Sequence, residues 1–224
     1  MRLRSIILIA VLGFLAAALV LLAVLYRAAQ HVPEFYRGAL AGDPAVEAAA
    51  AEQMERQVSS LNDQAIRAGA WYAVFTADQI NGWLAAKAPR VAPDLLPRGL
   101  RDPRVKIRPD GIAIACQAEW GRFSTVLSLD LDAYTDTAGV LTLRFRRVHA
   151  GALPWPLKQV LRGVSEACRH AGLRVDWQQA GGDPVALITL DRIEVRHGKF
   201  IQVQKVRLEE GAIHVSGVTG REKK

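Results

Sequence analysis

Chemistry-bearing clusters are scarce in this chain of 224 residues. Its five histidines, His31, His149, His170, His197 and His214, are scattered, and no His-x-x-x-His pair or Cys-x-x-Cys occurs. The close ligand spacing that metal sites use is therefore missing. Asp130, Asp132 and Asp136 have the spacing of a calcium-loop start, but the central glycine is lacking and Leu141 stands where the bidentate glutamate belongs. There is no glycine-rich phosphate cradle and no G-x-S-x-G elbow. Ser165, His170 and Asp176 supply the residue types of a hydrolytic triad without any motif around them. No catalytic residue, metal or cofactor is expected, and the chain is not read as an enzyme.

A formal charge of +7 invites a nucleic-acid reading. The bases are dispersed, however, from Arg98 to Arg108, from Arg144 to Arg147, and at Arg221, Lys223 and Lys224. No helix-turn-helix, zinc-finger or RNA-recognition signature accompanies them, so nucleic acid is not an expected partner. The only cysteines, Cys116 and Cys168, both fall on apolar faces, which reads as two buried free thiols. An oxidising compartment would also permit a bridge between them.

One stretch lacks charge altogether. Ser5–Tyr26 is apolar throughout and is bounded by Arg2 and Arg4 on one side and Arg27 on the other. As a helix it would span about 33 Å, against the roughly 30 Å of a bilayer core. Its many Leu, Ile, Val and Phe residues favour insertion by several kcal/mol in total, at about 0.3–0.6 each. A cleaved signal peptide would have a shorter apolar region ending at a small-x-small site, whereas this run is longer and ends LLAVLYR, with no A-x-A at its boundary with Arg27. An uncleaved signal-anchor is expected. The basic N-terminus favours residues 1–4 in the cytoplasm and the body of the chain outside, as a single-pass membrane protein whose domain is extracytoplasmic (periplasmic).

Residues 27–70 read as a juxtamembrane linker and an Ala-rich helix. Tyr26, Phe35 and Tyr36 suit the headgroup level, and Pro33 interrupts the helix leaving the membrane. Asp43-Pro44 is an N-cap signature, and Val46, Ala50, Met54, Val58, Leu61, Ala65 and Ala68 make a narrow stripe ending before Gly69. Thr76 and Gln79 form a capping box for a helix of about 77–88, stopped by Pro89. From Arg104 to Val218 the period changes to two, with Phe123–Leu131 the cleanest strand and a bulge near Arg146-Arg147. One helix interrupts the strands, with Leu157, Val160, Leu161, Val164, Cys168 and Ala171 on one face. Residues 71–218 are thus expected as an α+β domain, helices packed on a curved, mostly antiparallel β-sheet. Residues 219–224 are a basic tail.

The order of signal-anchor, FTADQINGWLAAK helix, strand meander, G-A-L-P-W-P and amphipathic helix resembles uncharacterised single-span envelope proteins of the YpmS-like kind. Thr76, Ile80, Asn81 and Leu84 match their first helix, and Gly151, Leu153, Pro154 and Pro156 resemble the entry to their second. Such proteins resemble half-modules of the tubular lipid-binding superfamily, whose sheet wraps a helix around acyl chains. The resemblance covers roughly 71–218 and implies lipid handling at a membrane, with no catalytic residues. The Ala-rich helix of 45–68 departs from that pattern.

Two functions follow. In the first, Leu127, Leu129, Leu131, Leu157, Leu161 and Val164 face an apolar ligand, with Trp83 and Trp155 at the rim, where an indole keeps its N–H wet. In the second, the domain is a filled, non-catalytic module that docks an envelope protein through residues 45–68 or a sheet edge. The expected partners are the membrane and either a lipid or that protein.

Overall fold

The computed structural model describes residues 19–67, 69–92, 96, 99–121, 123–137, 139–170, 172–190, 193–195 and 199–221. Residues 1–18, which hold the expected cytoplasmic tail and most of the expected span, lie outside the described residues, as do Ala68, Ala171 and the tail from 222. Among the described residues no helix is long and apolar enough to cross a membrane.

The chain is α+β. Helical residues 19–29 (α1) end in a turn, and residues 31–33 pass to α2 (Glu34–Leu40), as Pro33 requires. Helix α3 (Pro44–Ile66) starts where the Asp43 carboxylate accepts from the Ala45 N–H at 2.8 Å. Strand β1 (Gly69–Thr76) leads into α4 (Ala77–Ala86), and the short α5 (Ala88–Val91) follows. The Thr76–Gln79 box forms in both directions, at 3.2 and 3.0 Å. Pro89 does not simply stop the helix: it sits in the first turn of α5, where a missing N–H costs nothing.

Strands β2 (Leu100–Arg108), β3 (Gly111–Trp120), β4 (Phe123–Thr137), β5 (Val140–Ala150), β7 (Arg174–Ala180) and β8 (Asp183–Thr189) build the larger sheet in the order β2-β3-β4-β5-β8-β7, with β6 (Leu153–Pro154) on β5. Helix α6 (Leu157–His170) crosses between β6 and β7. The remaining strands, β9 (Ile193–Val195), β10 (Lys199–Glu209) and β11 (Ala212–Arg221), form a second sheet in the order β1-β11-β10-β9. The strands expected in one sheet are therefore divided between two, because β1 pairs along its whole length with β11. Every described strand pairing is antiparallel. The expected bulge is present: opposite Asp130 and Leu131, the register skips from Arg147 to Phe145.

The two sheets share one core. Ile107, Leu131, Phe145 and Ile188 of the larger sheet and Leu208 of the smaller one are buried in a single cluster. Backbone bonds fasten the sheets together, from Gly211 N–H to Ile107 C=O at 3.0 Å and from Gly139 N–H to Val203 C=O at 2.8 Å.

Helix α4 is bound to edge strand β2 by Asn81, whose side-chain oxygen accepts from Val105 N–H at 2.7 Å and whose amide donates to Val105 C=O at 2.9 Å. One side chain thus satisfies both backbone groups of an edge residue. On its other side α4 meets α3 at Gly82, where an added Cβ would lie 2.5 Å from Glu47 O and 2.8 Å from Ala50 Cβ. The Ala-rich stripe lets the two backbones approach there.

Tyr36 does not take the membrane-interface position expected of it. Tyr36 is 1% exposed and packs with Ala115 and Val126, and Phe35 lies against the same cluster. Burying the ring against β3 and β4 removes more apolar surface from water than an interface would, and the hydroxyl still finds the Asp102 carbonyl at 2.9 Å. Nearby, buried Arg104 pairs with Glu47 at 3.1 Å and donates to Ala39 C=O at 3.3 Å, tying α2 and α3 to β2.

Gly82→Ala is expected to destabilise by about 1–2 kcal/mol despite the better helix former, because overpacking outweighs propensity. Gly163→Ala in α6, where a Cβ meets nothing within 4 Å, is expected to stabilise by up to about 1 kcal/mol. Urea unfolding of both variants checks the opposite signs. Burial, and then the Asp102 charge, push the Tyr36 phenol up from 10.0 to about 12. Both states are neutral below pH 10, so the contribution is complete there and is lost as pH rises from 10 to 12. Over that window the wild type should lose about 2–3 kcal/mol more than Tyr36→Phe. Parallel stability curves in alkaline unfolding would contradict this.

Candidate functional site

Helix α6 is strongly two-faced, and its apolar stripe dictates where it lies. Leu157, Val160, Leu161, Val164 and Cys168 meet the shared core on the face of the larger sheet. Strand register lays that face out: Ile112 opposite Leu131, Ile114 opposite Leu129, and Cys116 opposite Leu127. Leu131 continues to Phe145, and Leu129 to Val148. Of the eight residues expected to line a ligand site, Leu129, Leu131, Leu157, Leu161 and Val164 come together here. Leu127 stands further along the same face, between Cys116 and Ala150.

Their burial is uneven. Leu131 and Phe145 are fully covered, whereas Leu127, Leu129, Leu157, Leu161 and Val164 are only half-buried. Half-buried neighbours on this face, Ile112, Ile114, Leu141 and Leu143, extend the same zone. The described side chains of α6 and the sheet therefore leave a belt of aliphatic surface partly uncovered around a closed centre. Cys116 lies in this belt, and burial pushes its thiol up from 9.0 to about 11, so it is a neutral, apolar lining group at ordinary pH. Cys168, buried on α6, is also a free thiol, and the two are not bridged.

The helix is pinned to the sheet at one flank. Trp177 Nε1 donates to Ser165 Oγ at 2.9 Å, and Ser165 in turn donates to Leu161 C=O at 3.0 Å. The Trp177 ring stacks obliquely on Phe145, with centroids 5.6 Å apart. Ser165 is thereby a clamp between α6 and β7, a role that hydroxyl spacing in the sequence does not reveal.

The two tryptophans expected at the rim lie on different elements. Trp155, just before α6, donates its backbone N–H to Val148 C=O at 2.8 Å, which fixes the entry to the helix. Trp83 is on α4 and does not join the α6 cluster. It lines an open groove of about 490 Å³ with Met54, Val58 and Ser59 of α3. A polar groove of about 620 Å³ adjoins it, lined by Glu52, Glu55, Arg56, Ser59, Ser60, Asp63 and Lys87. The Lys87–Glu55 ion pair, at 3.0 Å, stands between them.

The end of α1 is built into the same region. The last carbonyls of a helix have no partner inside it. Here Ala28 C=O accepts from Ala152 N–H at 2.8 Å, and Ala29 C=O accepts from Thr125 Oγ1 at 2.6 Å. Gln30 Nε2 adds a bond to Ser124 C=O at 3.1 Å. Gly151, with φ +62, lies directly under these carbonyls, and a Cβ there would collide with the backbone of Ala28 and Ala29. The glycine of the G-A-L-P-W-P segment is thus the seat of the N-terminal helix. Above that seat Leu19, Val20, Leu21, Leu22, Val24, Leu25 and Tyr26 are all exposed.

No family model, curated protein or solved structure matches the chain.

Proposed function

We propose that the chain is a membrane-anchored extracytoplasmic domain that binds a lipid or another apolar ligand close to its own membrane. The observation that carries this reading is the half-buried aliphatic belt of Leu127, Leu129, Leu157, Leu161 and Val164 between α6 and the larger sheet. Such a belt retains a free-energy incentive for further covering, at roughly 25 cal/mol for each Å² of apolar surface removed from water. An acyl chain supplies that cover without needing a polar partner. Sliding between α6 and β4 requires α6 to yield, and α6 has its side-chain clamp at Ser165–Trp177, on the β7 flank. The sheet curls around the ligand, as in the tubular lipid-binding half-modules that the sequence resembles.

The anchor is the apolar stretch Ser5–Tyr26. Support comes from its described end, where large aliphatic side chains are exposed to solvent. In water that exposure is unfavourable, and in hydrocarbon it is not. Arg2 and Arg4 keep the short N-terminus in the cytoplasm. The seat on Gly151 then joins the anchor to the ligand-binding sheet with little slack.

A second reading is favoured by a different observation, the apolar groove of Met54, Val58 and Trp83 along α3 and α4. In that reading the domain is a scaffold, and a segment of an envelope protein lies along α3.

Mass spectrometry of organic extracts separates the two. The full chain, purified in detergent, is expected to carry about one lipid per chain that is missing from the Leu129→Gln/Leu161→Gln variant. Bulk lipid around the anchor is the same in both samples and cancels. Identical extracts, with both proteins folded, would sink the ligand site and leave the groove on α3.

A further inference from the structure

The smaller sheet has one face in the shared core and the other in solvent, and the solvent face concentrates donors of one kind. Register fixes its rungs: Tyr72, Ser216 and Lys205 lie side by side on β1, β11 and β10, and His214 lies beside Arg207 on the next rung. Neighbours across such a rung have Cβ atoms about 5 Å apart, so these side chains converge. Together they line a pocket of about 170 Å³.

Lys205 reaches this face through a bulge. The register shifts between Val203 and Lys205, which keeps Val203 inward, beside Gly217, and turns Lys205 outward. The bulge is held from the other sheet, because Thr135 Oγ1 accepts from Val206 N–H at 3.1 Å. Two cations two residues apart on one face, Lys205 and Arg207, repel each other at a spacing of about 7 Å. Glu209 answers only one side of that repulsion. Its carboxylate pairs with Arg207 and lies 3.0 Å from His214 Nε2, while His214 Nδ1 is hydrogen-bonded to the Tyr72 hydroxyl. Lys205 has no ion-pair partner among the described residues.

We infer that this pocket is an anion site that takes a phosphate group, held by Lys205 and Arg207 with the hydroxyls of Ser216 and Tyr72. The Glu209–His214–Tyr72 chain is the frame that orients the aromatic hydroxyl: with His214 Nδ1–H donating to the Tyr72 oxygen, the hydroxyl proton is left for the anion, and Arg207 is shared between that frame and the anion. A phosphate oxygen neutralises the cation that Glu209 leaves unanswered, and its several acceptors match donors that come from three strands. The site lies on the sheet face opposite Leu208 and Ile213, so it is separate from the aliphatic belt beneath α6. The phosphate is either a lipid headgroup or a small soluble phosphate, and the chemistry is the same.

Isothermal titration of the full chain in uncharged detergent, first with inorganic phosphate and then with dihexanoyl phosphatidic acid, tests the site. Saturable binding of phosphate at one per chain is expected, weakened about tenfold by Lys205→Gln and by Tyr72→Phe. Lys87→Gln, which removes one positive charge elsewhere on the surface, should leave it unchanged. Tighter binding of the phosphatidic acid than of phosphate assigns the site to a headgroup, and equal binding assigns it to soluble phosphate. The inference is overturned if neither ligand saturates, or if Lys205→Gln and Tyr72→Phe bind as the wild type does. Thermal unfolding of the two variants, both altered on an exposed face, distinguishes lost binding from lost folding.

Discussion

Ile107, Leu131 and Phe145 on the seven-stranded sheet and Leu208 on the four-stranded sheet exclude water from one another, and the rest of the molecule is arranged by that shared burial. Each sheet spends one face on this cluster. The outer faces carry charged and polar side chains, where Asp132 pairs with Arg146 at 2.7 Å and where the Tyr72, His214 and Lys205 group assembles. Helix α4 seals the open side by gripping β2 at Val105 through Asn81, and α3 packs behind it across Gly82. What the cluster does not do is cover the whole larger sheet. Towards Leu127 and Leu129 the aliphatic face continues, and α6 covers it only in part. The proposed ligand occupies that remainder.

The junction at Gly151 gives the same surface a fixed relation to the N-terminal helix. Ala28 and Ala29 present helix-end carbonyls to Ala152 and Thr125, so hydrogen bonds rather than a floppy tether join α1 to the β4–β5 region. Thr125 is two residues from Leu127 on the same strand, and the two side chains lie on the same face. In the proposed reading, a lipid leaving the bilayer alongside an anchor at residues 5–26 would meet the start of the belt first. The proposed anion pocket on the smaller sheet is built from other strands.

Much of this was legible because antiparallel sheets with one wet face advertise themselves by alternation. The alternation of Phe123–Leu131, the bulge near Arg146-Arg147 and the stripe of Leu157 to Cys168 all took their expected elements. The Thr76 capping box and the Asp43 cap were equally local signals. Strand β1 was not legible: Trp71 to Phe75 is apolar on both faces, because Tyr72 and Val74 face outward on an edge strand, so no alternation marks it. Missing β1 hid the second sheet, and with it the juxtaposition of Tyr72 and His214 across 142 positions of sequence. Tyr36 misled for a related reason, since an aromatic close to an expected membrane span suits either an interface or a core, and only the tertiary partners Ala115 and Val126 decide it. Grouping eight residues into one site also failed at Trp83, because helical spacing says which face a residue is on but not which neighbour that face meets.

Amide hydrogen exchange across residues 157–170 distinguishes an open belt beneath α6 from a finished core. The full chain would be stripped of lipid in an amphipathic polymer and measured before and after phospholipid is returned, with β4 as the internal reference. Helix α6 should exchange well ahead of β4 without lipid and slow about tenfold when lipid is added, as a half-covered helix gains its missing cover. If α6 is as protected as β4 from the start and lipid changes nothing, the face beneath it is a finished core and the account fails.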